Sequence, residues 1–231
     1  MINSYDFEDG RLISPTDSGH KSEIVKDPSD PTNKMLAISS TDTSKTAVGY
    51  LNASITDSSP DSYEKKVSFS VNVPSVDNDG DGIYNEIAGD LLHATDNGTR
   101  IIFKCGVYVG SSESLRLVAV ANVSGGVSES YTLQLWDLSD KPVITLADDL
   151  RYDSTYAIDT VFDLYDGVNV GVSVDGKELV WGDYVLSADG STLNYDEKGG
   201  VMLKFAIAKR FVGTVCLDDI GAEFSDELVE R

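Results

Sequence analysis

Three groups of residues combine types and spacings that can do chemistry. Asp77, Asp79 and Asp81 alternate with Asn78, Gly80 and Gly82. A tight loop of this kind aims several oxygens inward, as a hard cation such as calcium requires. The competing reading is an acidic hairpin loop. At the two ends of the chain, Tyr5-Asp6-Phe7-Glu8-Asp9-Gly10 and Val215-Cys216-Leu217-Asp218-Asp219-Ile220 set carboxylates beside strand-like apolar runs. If those runs are neighbours, Glu8, Asp9, Asp218 and Asp219 converge. Carboxylates on adjacent strands repel unless a cation or hydrogen bonds satisfy them, which points to a shared hard cation; the alternative is that they cap strand ends in solvent. The third group is aromatic: Tyr108, Trp136, Trp181 and Tyr184. Trp136 is in phase with Thr132 and Gln134 and out of phase with Leu133 and Leu135, so an exposed or cleft tryptophan is expected. Tyr108 shares a face with Lys104. Such rings stack on pyranose faces; the other reading is that the tryptophans plug a sheet edge or the rim of the core.

Nucleophilic catalysis finds little support. His20 and His93 are the two histidines, and neither has a partner motif for a Ser/His/Asp or Cys/His arrangement. The glycine pairs precede strands, so no phosphate cradle forms. The Glu-x-Asp-x-x-Glu strand of concanavalin A-like glucanases has no counterpart. Phe103-Lys104-Cys105-Gly106-Val107-Tyr108 resembles the alginate-lyase strand that carries a Lys and a catalytic Tyr. There it belongs near the C-terminus, and the Arg-rich and Gln-x-His strands of those enzymes have no match here.

Composition narrows the partners. Asp and Glu outnumber Lys and Arg by 39 to 18, for a formal charge of -21. A chain of this sign repels nucleic-acid phosphates and anionic membrane surfaces. No apolar run reaches the length of a membrane span, and the first residues lack the basic and apolar regions of a signal peptide. Cys105 and Cys216 fit no metal spacing; two buried free thiols are expected, with pairing left open.

The elements that must position these residues are strands. Val67, Phe69, Val71 and Val73 alternate with polar residues. The same period of two runs through Ile101, Phe103, Cys105, Val107 and Val109, then Leu115, Leu117 and Ala119, then Tyr131, Leu133 and Leu135. It returns in 156–162, 168–174 and 201–207. Asp175-Gly176 marks a hairpin. Roughly a dozen strands in one domain, residues 1–231, imply an all-β, two-sheet antiparallel jelly-roll sandwich. Helix is confined to possible single turns at 90–94 and 225–230, the second capped by Ser225.

"YDFEDG", "VNVGVSVDGKELV" and "VCLDDI" together resemble the concanavalin A-like, laminin-G-like jelly-roll superfamily, including its carbohydrate-binding modules. The resemblance implies a structural calcium where first and last strands meet. Carried over by position, Glu8 and Asp218 are its ligands, with Asp219 next. The loop at Asp77 resembles the opening of an EF-hand or thrombospondin type-3 loop over seven residues, although Ala88 stands where an EF-hand closes with Glu. The reading that follows is a non-catalytic, calcium-stabilised carbohydrate-binding module, extracellular or surface-displayed, whose partner is a polysaccharide or glycan. A structural or adhesion domain of a larger surface or virion assembly is the first alternative, and a polysaccharide lyase or hydrolase is the second.

Overall fold

In the computed structural model the structure describes residues 3–10, 20–28, 30–40, 50–55, 64–77, 80–85, 100–110, 112–163, 169–182, 200–208, 211 and 213–225. These contain fourteen strands and no helix. They are β1 (Asn3–Tyr5), β2 (His20–Lys26), β3 (Lys34–Ser40), β4 (Tyr50–Ile55), β5 (Glu64–Asn72), β6 (Ile101–Val109) and β7 (Ser112–Ser124), followed by β8 (Val127–Trp136), β9 (Pro142–Arg151), β10 (Thr155–Asp163), β11 (Asn169–Val174), β12 (Lys177–Gly182), β13 (Val201–Ile207) and β14 (Gly213–Ser225). The single turns expected at 90–94 and 226–230 lie outside the described residues, and Ser225 ends β14.

The strands form two antiparallel sheets. The first runs β12-β11-β10-β5-β14-β3-β2, with β1 also paired to β14; the second runs β4-β13-β6-β7-β8-β9. This is the jelly-roll sandwich that the alternation implies. Between the sheets lies one continuous core, to which Val67, Phe69 and Val71 of β5 contribute from one side and Leu115, Leu117 and Leu133 from the other. Period-two burial drives this, because each fully buried large apolar side chain contributes about 1.5–3 kcal/mol relative to exposure. The chain ends behave as expected. Asn3, Ser4 and Tyr5 pair with Ala222, Gly221 and Ile220, and Phe7 and Leu217 enter the same core.

Two turns of local geometry matter. Asp175 and Gly176 both have positive φ, 51° and 72°, as a two-residue type I′ hairpin requires. In β6, the pairing with β7 shifts between Ile101 and Phe103. The expectation that Ile101 shares the inward face of Phe103 is therefore corrected. Ile102 and Phe103 both enter the main core, while Ile101 joins Val118 and Trp136 in a separate cluster. A bulge breaks the alternation locally. Cys105 lies in the main core and Cys216 packs with Met35 and Ala37; both are buried and free.

Candidate functional site

Alternation places the polar residues of β6, β7, β8 and β13 on the face of the second sheet that points away from the core. Gly106 is the low point of this face. It pairs with Lys204 on one side and Arg116 on the other. A Cβ at Gly106 would stand 3.0 Å from Glu113 Oε1 and 3.1 Å from Tyr108 Cε2, so the two side chains lie over the glycine because it has none. A bulge between Val107 and Tyr108 sets Tyr108 opposite Glu113. Its extra residue, Ser114, is buried and accepts the Val109 N–H through Oγ.

The side chains form a connected network. Arg116 holds Glu113 with two bonds of 2.7 Å, the bidentate geometry that fixes a carboxylate most firmly. The Tyr108 hydroxyl donates to the same carboxylate at 3.3 Å. Arg116 also reaches Asp140 at 3.0 Å, and Lys104 reaches the same Asp140 oxygen at 2.5 Å. Burial opposes charge at Asp140, but Lys104 and Arg116 outweigh it and hold the carboxyl below its usual range. Hydrogen bonding to Glu113 raises the Arg116 pKa further, against partial burial. The Lys204 ammonium stands 4.1 Å from the centre of the Tyr108 ring, within cation–π range.

Trp136 departs from its expected exposure. It shares the outer face with Gln134 but is only 2% exposed, packed with Ile101 and Val118. Its Nε1 donates to Gln134 Oε1 at 2.8 Å, and Lys104 lies 5.6 Å over the ring. A ring so enclosed has no free face to offer a sugar. Trp181 belongs to the other sheet. It pairs with Gly171, and a Cβ on Gly171 would stand 2.6 Å from its ring, so Trp181 lies half-buried over that glycine. The expected four-residue platform therefore divides: Tyr108 and Trp136 are on one sheet, Trp181 is on the other, and Tyr184 lies outside the described residues.

The seam of β1 and β14 brings the terminal carboxylates together. Opposite β5, the register shifts between Asp218 and Gly221, with Asp219 at φ 49° and, across the seam, Phe7 at φ 54°. Left-handed conformations of this kind are costly away from glycine. Asp218 is 1% exposed; Asn33 Nδ2 donates to its Oδ2 at 2.8 Å, and its Oδ1 has no hydrogen-bond partner among the described residues. Burial, with Asp219 and Glu8 adding to it, pushes the carboxyl up to about 6. Glu8 is exposed and accepts the Lys34 N–H at 2.7 Å, while the Lys34 ammonium bonds the Glu8 carbonyl at 2.6 Å. The donor set is all oxygen, which suits a hard cation, and Asp218 supplies an unpaired buried oxygen. Among the described residues, however, no three His, Cys, Asp or Glu side chains are arranged around a common metal position.

In the other acidic loop, Asp77 accepts the N–H groups of Gly80 and Gly82 at 2.7 and 3.0 Å, and Asp81 accepts that of Ile83 at 2.8 Å. These carboxylates fold the loop themselves. Asp79 lies outside the described residues.

Sequence reading missed Glu113, Arg116 and Lys204. Arg116 lies between Leu115 and Leu117, and Lys204 between Leu203 and Phe205, so each was legible as outward-facing. What could not be read was that β13, β6 and β7 are neighbours, since β13 follows β6 only after nearly a hundred residues.

No known protein family matches the chain, and no curated protein does. Solved structures share its fold. A carbohydrate esterase from the Shiga toxin-encoding bacteriophage phi24B is 11% identical with a TM-score of 0.59, covering 96% of this chain and 97% of that one. An alginate lyase mutant in complex with alginate tetrasaccharide is 11% identical with a TM-score of 0.52, covering 100% and 98%. A cellulose-induced protein is 11% identical with a TM-score of 0.52, covering 99% of each chain. At these identities the likeness defines an architecture, the two-sheet jelly-roll sandwich.

Proposed function

We propose that the chain is a non-catalytic carbohydrate-binding module, extracellular or surface-displayed, that takes a polysaccharide on the outer face of its second sheet. The observation that carries this reading is the network around Gly106. Tyr108 supplies a partly exposed ring, and Lys204, Arg116 and Glu113 supply directed donors and acceptors beside it. Binding sites for sugars need this mixture of apolar faces and a few fixed polar groups. That the similar structures include proteins named for carbohydrate chemistry agrees with it. Calcium at the β1–β14 seam would act structurally, clamping the chain ends; the unpaired oxygen of Asp218 supports it as one ligand, with Glu8 and Asp219 having to turn toward it, since the three do not surround one point.

A glycan array tests the reading, run on the native chain and on Tyr108→Ala, with and without chelator. Binding lost in Tyr108→Ala supports the assigned face; binding unchanged in that variant counts against it. A weaker response in chelator assigns the calcium a role in holding the fold.

One observation favours a second reading, a polysaccharide lyase. The Tyr108 hydroxyl shares Glu113 with Arg116, which sets a tyrosine near cations that could neutralise a uronate carboxylate while a proton is removed from the adjacent carbon. Unsaturated products formed from a uronate polymer, and abolished by Tyr108→Phe, would establish it.

A further inference from the structure

Resting on the saccharide-binding reading of this face, we propose that the ligand is an acidic saccharide and that Lys204 receives its carboxylate. The network on the outer face alternates in charge. It runs from Lys104 to Asp140, to Arg116, to Glu113, then through the Tyr108 hydroxyl and ring to Lys204. Every cation in this series has a carboxylate except the last. Lys204 is half-buried, and among the described residues no Asp or Glu pairs with it; its neighbour is the Tyr108 ring. In a chain of formal charge -21 carboxylates outnumber cations, yet among the described residues none lies on this one. Lys21, Lys34, Lys66 and Arg151 reach carboxylates elsewhere on the surface, while Arg100, also half-buried, keeps a buried Nη1 without a partner among the described residues.

Geometry places the missing anion. Lys204 and Arg116 flank Gly106 from opposite sides, about 10 Å apart at two strand spacings. Arg116 is already saturated by Glu113 and Asp140. The seat left for a ligand carboxylate is therefore at Lys204, with the sugar ring against Tyr108. A neutral saccharide could use the ring but would leave the ammonium unmatched. A charge-assisted bond at a partly screened site is worth a loss of about tenfold or more in affinity when it is removed.

The experiment measures binding of a uronic-acid oligosaccharide and of its carboxyl-reduced counterpart, at low and high salt, to the native chain, Lys204→Met, Lys204→Arg and Tyr108→Ala. The expected result is tight binding of the acidic oligomer that weakens with salt, falls about tenfold or more in Lys204→Met and is largely kept in Lys204→Arg. Unchanged melting of Lys204→Met shows that the loss is not unfolding. Equal affinity for the acidic and reduced oligomers, or full affinity in Lys204→Met, overturns the acidic preference and leaves a neutral-sugar surface. If neither oligomer, nor any glycan, binds in a way that Tyr108→Ala changes, the saccharide reading itself falls with it.

Discussion

Tyr108 and Trp136 sit on the same sheet face with opposite fates, and the contrast separates binding from folding at the level of single residues. Trp136 is enclosed by Ile101 and Val118, so Trp136→Ala should cost about 3–5 kcal/mol of stability. Tyr108→Ala should leave the unfolding free energy within about 1 kcal/mol of the native chain's while removing saccharide binding. Paired unfolding and binding curves check both. Asp218 gives a prediction in pH. Its folded carboxyl titrates at about 6 against an ordinary 3.8, so the native state holds the proton more tightly than the unfolded chain. Its contribution is full below the unfolded value and is lost as pH rises through about 6, by at most about 3 kcal/mol. Without calcium, Asp218→Asn should therefore be more stable than the native chain at pH 7 and lose the difference by pH 4. Calcium should reverse the order at pH 7, because it binds only the ionised native carboxylate. A melting temperature that rises equally with calcium in both proteins would remove Asp218 from the ligand set.

Among the elements, β14 has the central place. It pairs with β3, β5 and β1, and Phe7, just after β1, fills the core beside it. Phe7→Ala should cost about 3–5 kcal/mol and loosen the seam that carries Glu8 and Asp218, so urea unfolding and calcium response should weaken together. Sequence reading reached this junction because β1 and β14 each combine an apolar run with distinctive carboxylates. It also reached the inward faces of β5, β7, β8 and β13, where strict alternation leaves one choice. It failed where alternation breaks, as at the Ile101 bulge, which turned an expected core residue outward to bury Trp136. It failed again for Trp181, since which sheet a strand joins is decided by long-range pairing and not by its own residues. The outward residues of single strands were readable; their meeting around Gly106 was not.

For the whole molecule, the charge of -21 makes the outer face of the second sheet exceptional. Three cations, Lys104, Arg116 and Lys204, gather there, and among the described residues Lys204 has no carboxylate on it. Surface repulsion of this size is screened by salt, so moderate salt should raise the melting temperature while weakening attachment of an acidic ligand. Opposite signs in those two responses distinguish a local recognition site from general charge. The most direct measurement is residue-resolved amide exchange with and without a saturating oligosaccharide. Protection should rise in β6, β7 and β13 around Gly106. Protection that instead gathers on β10–β12 around Trp181, with β6 and β13 unchanged, would contradict the assignment.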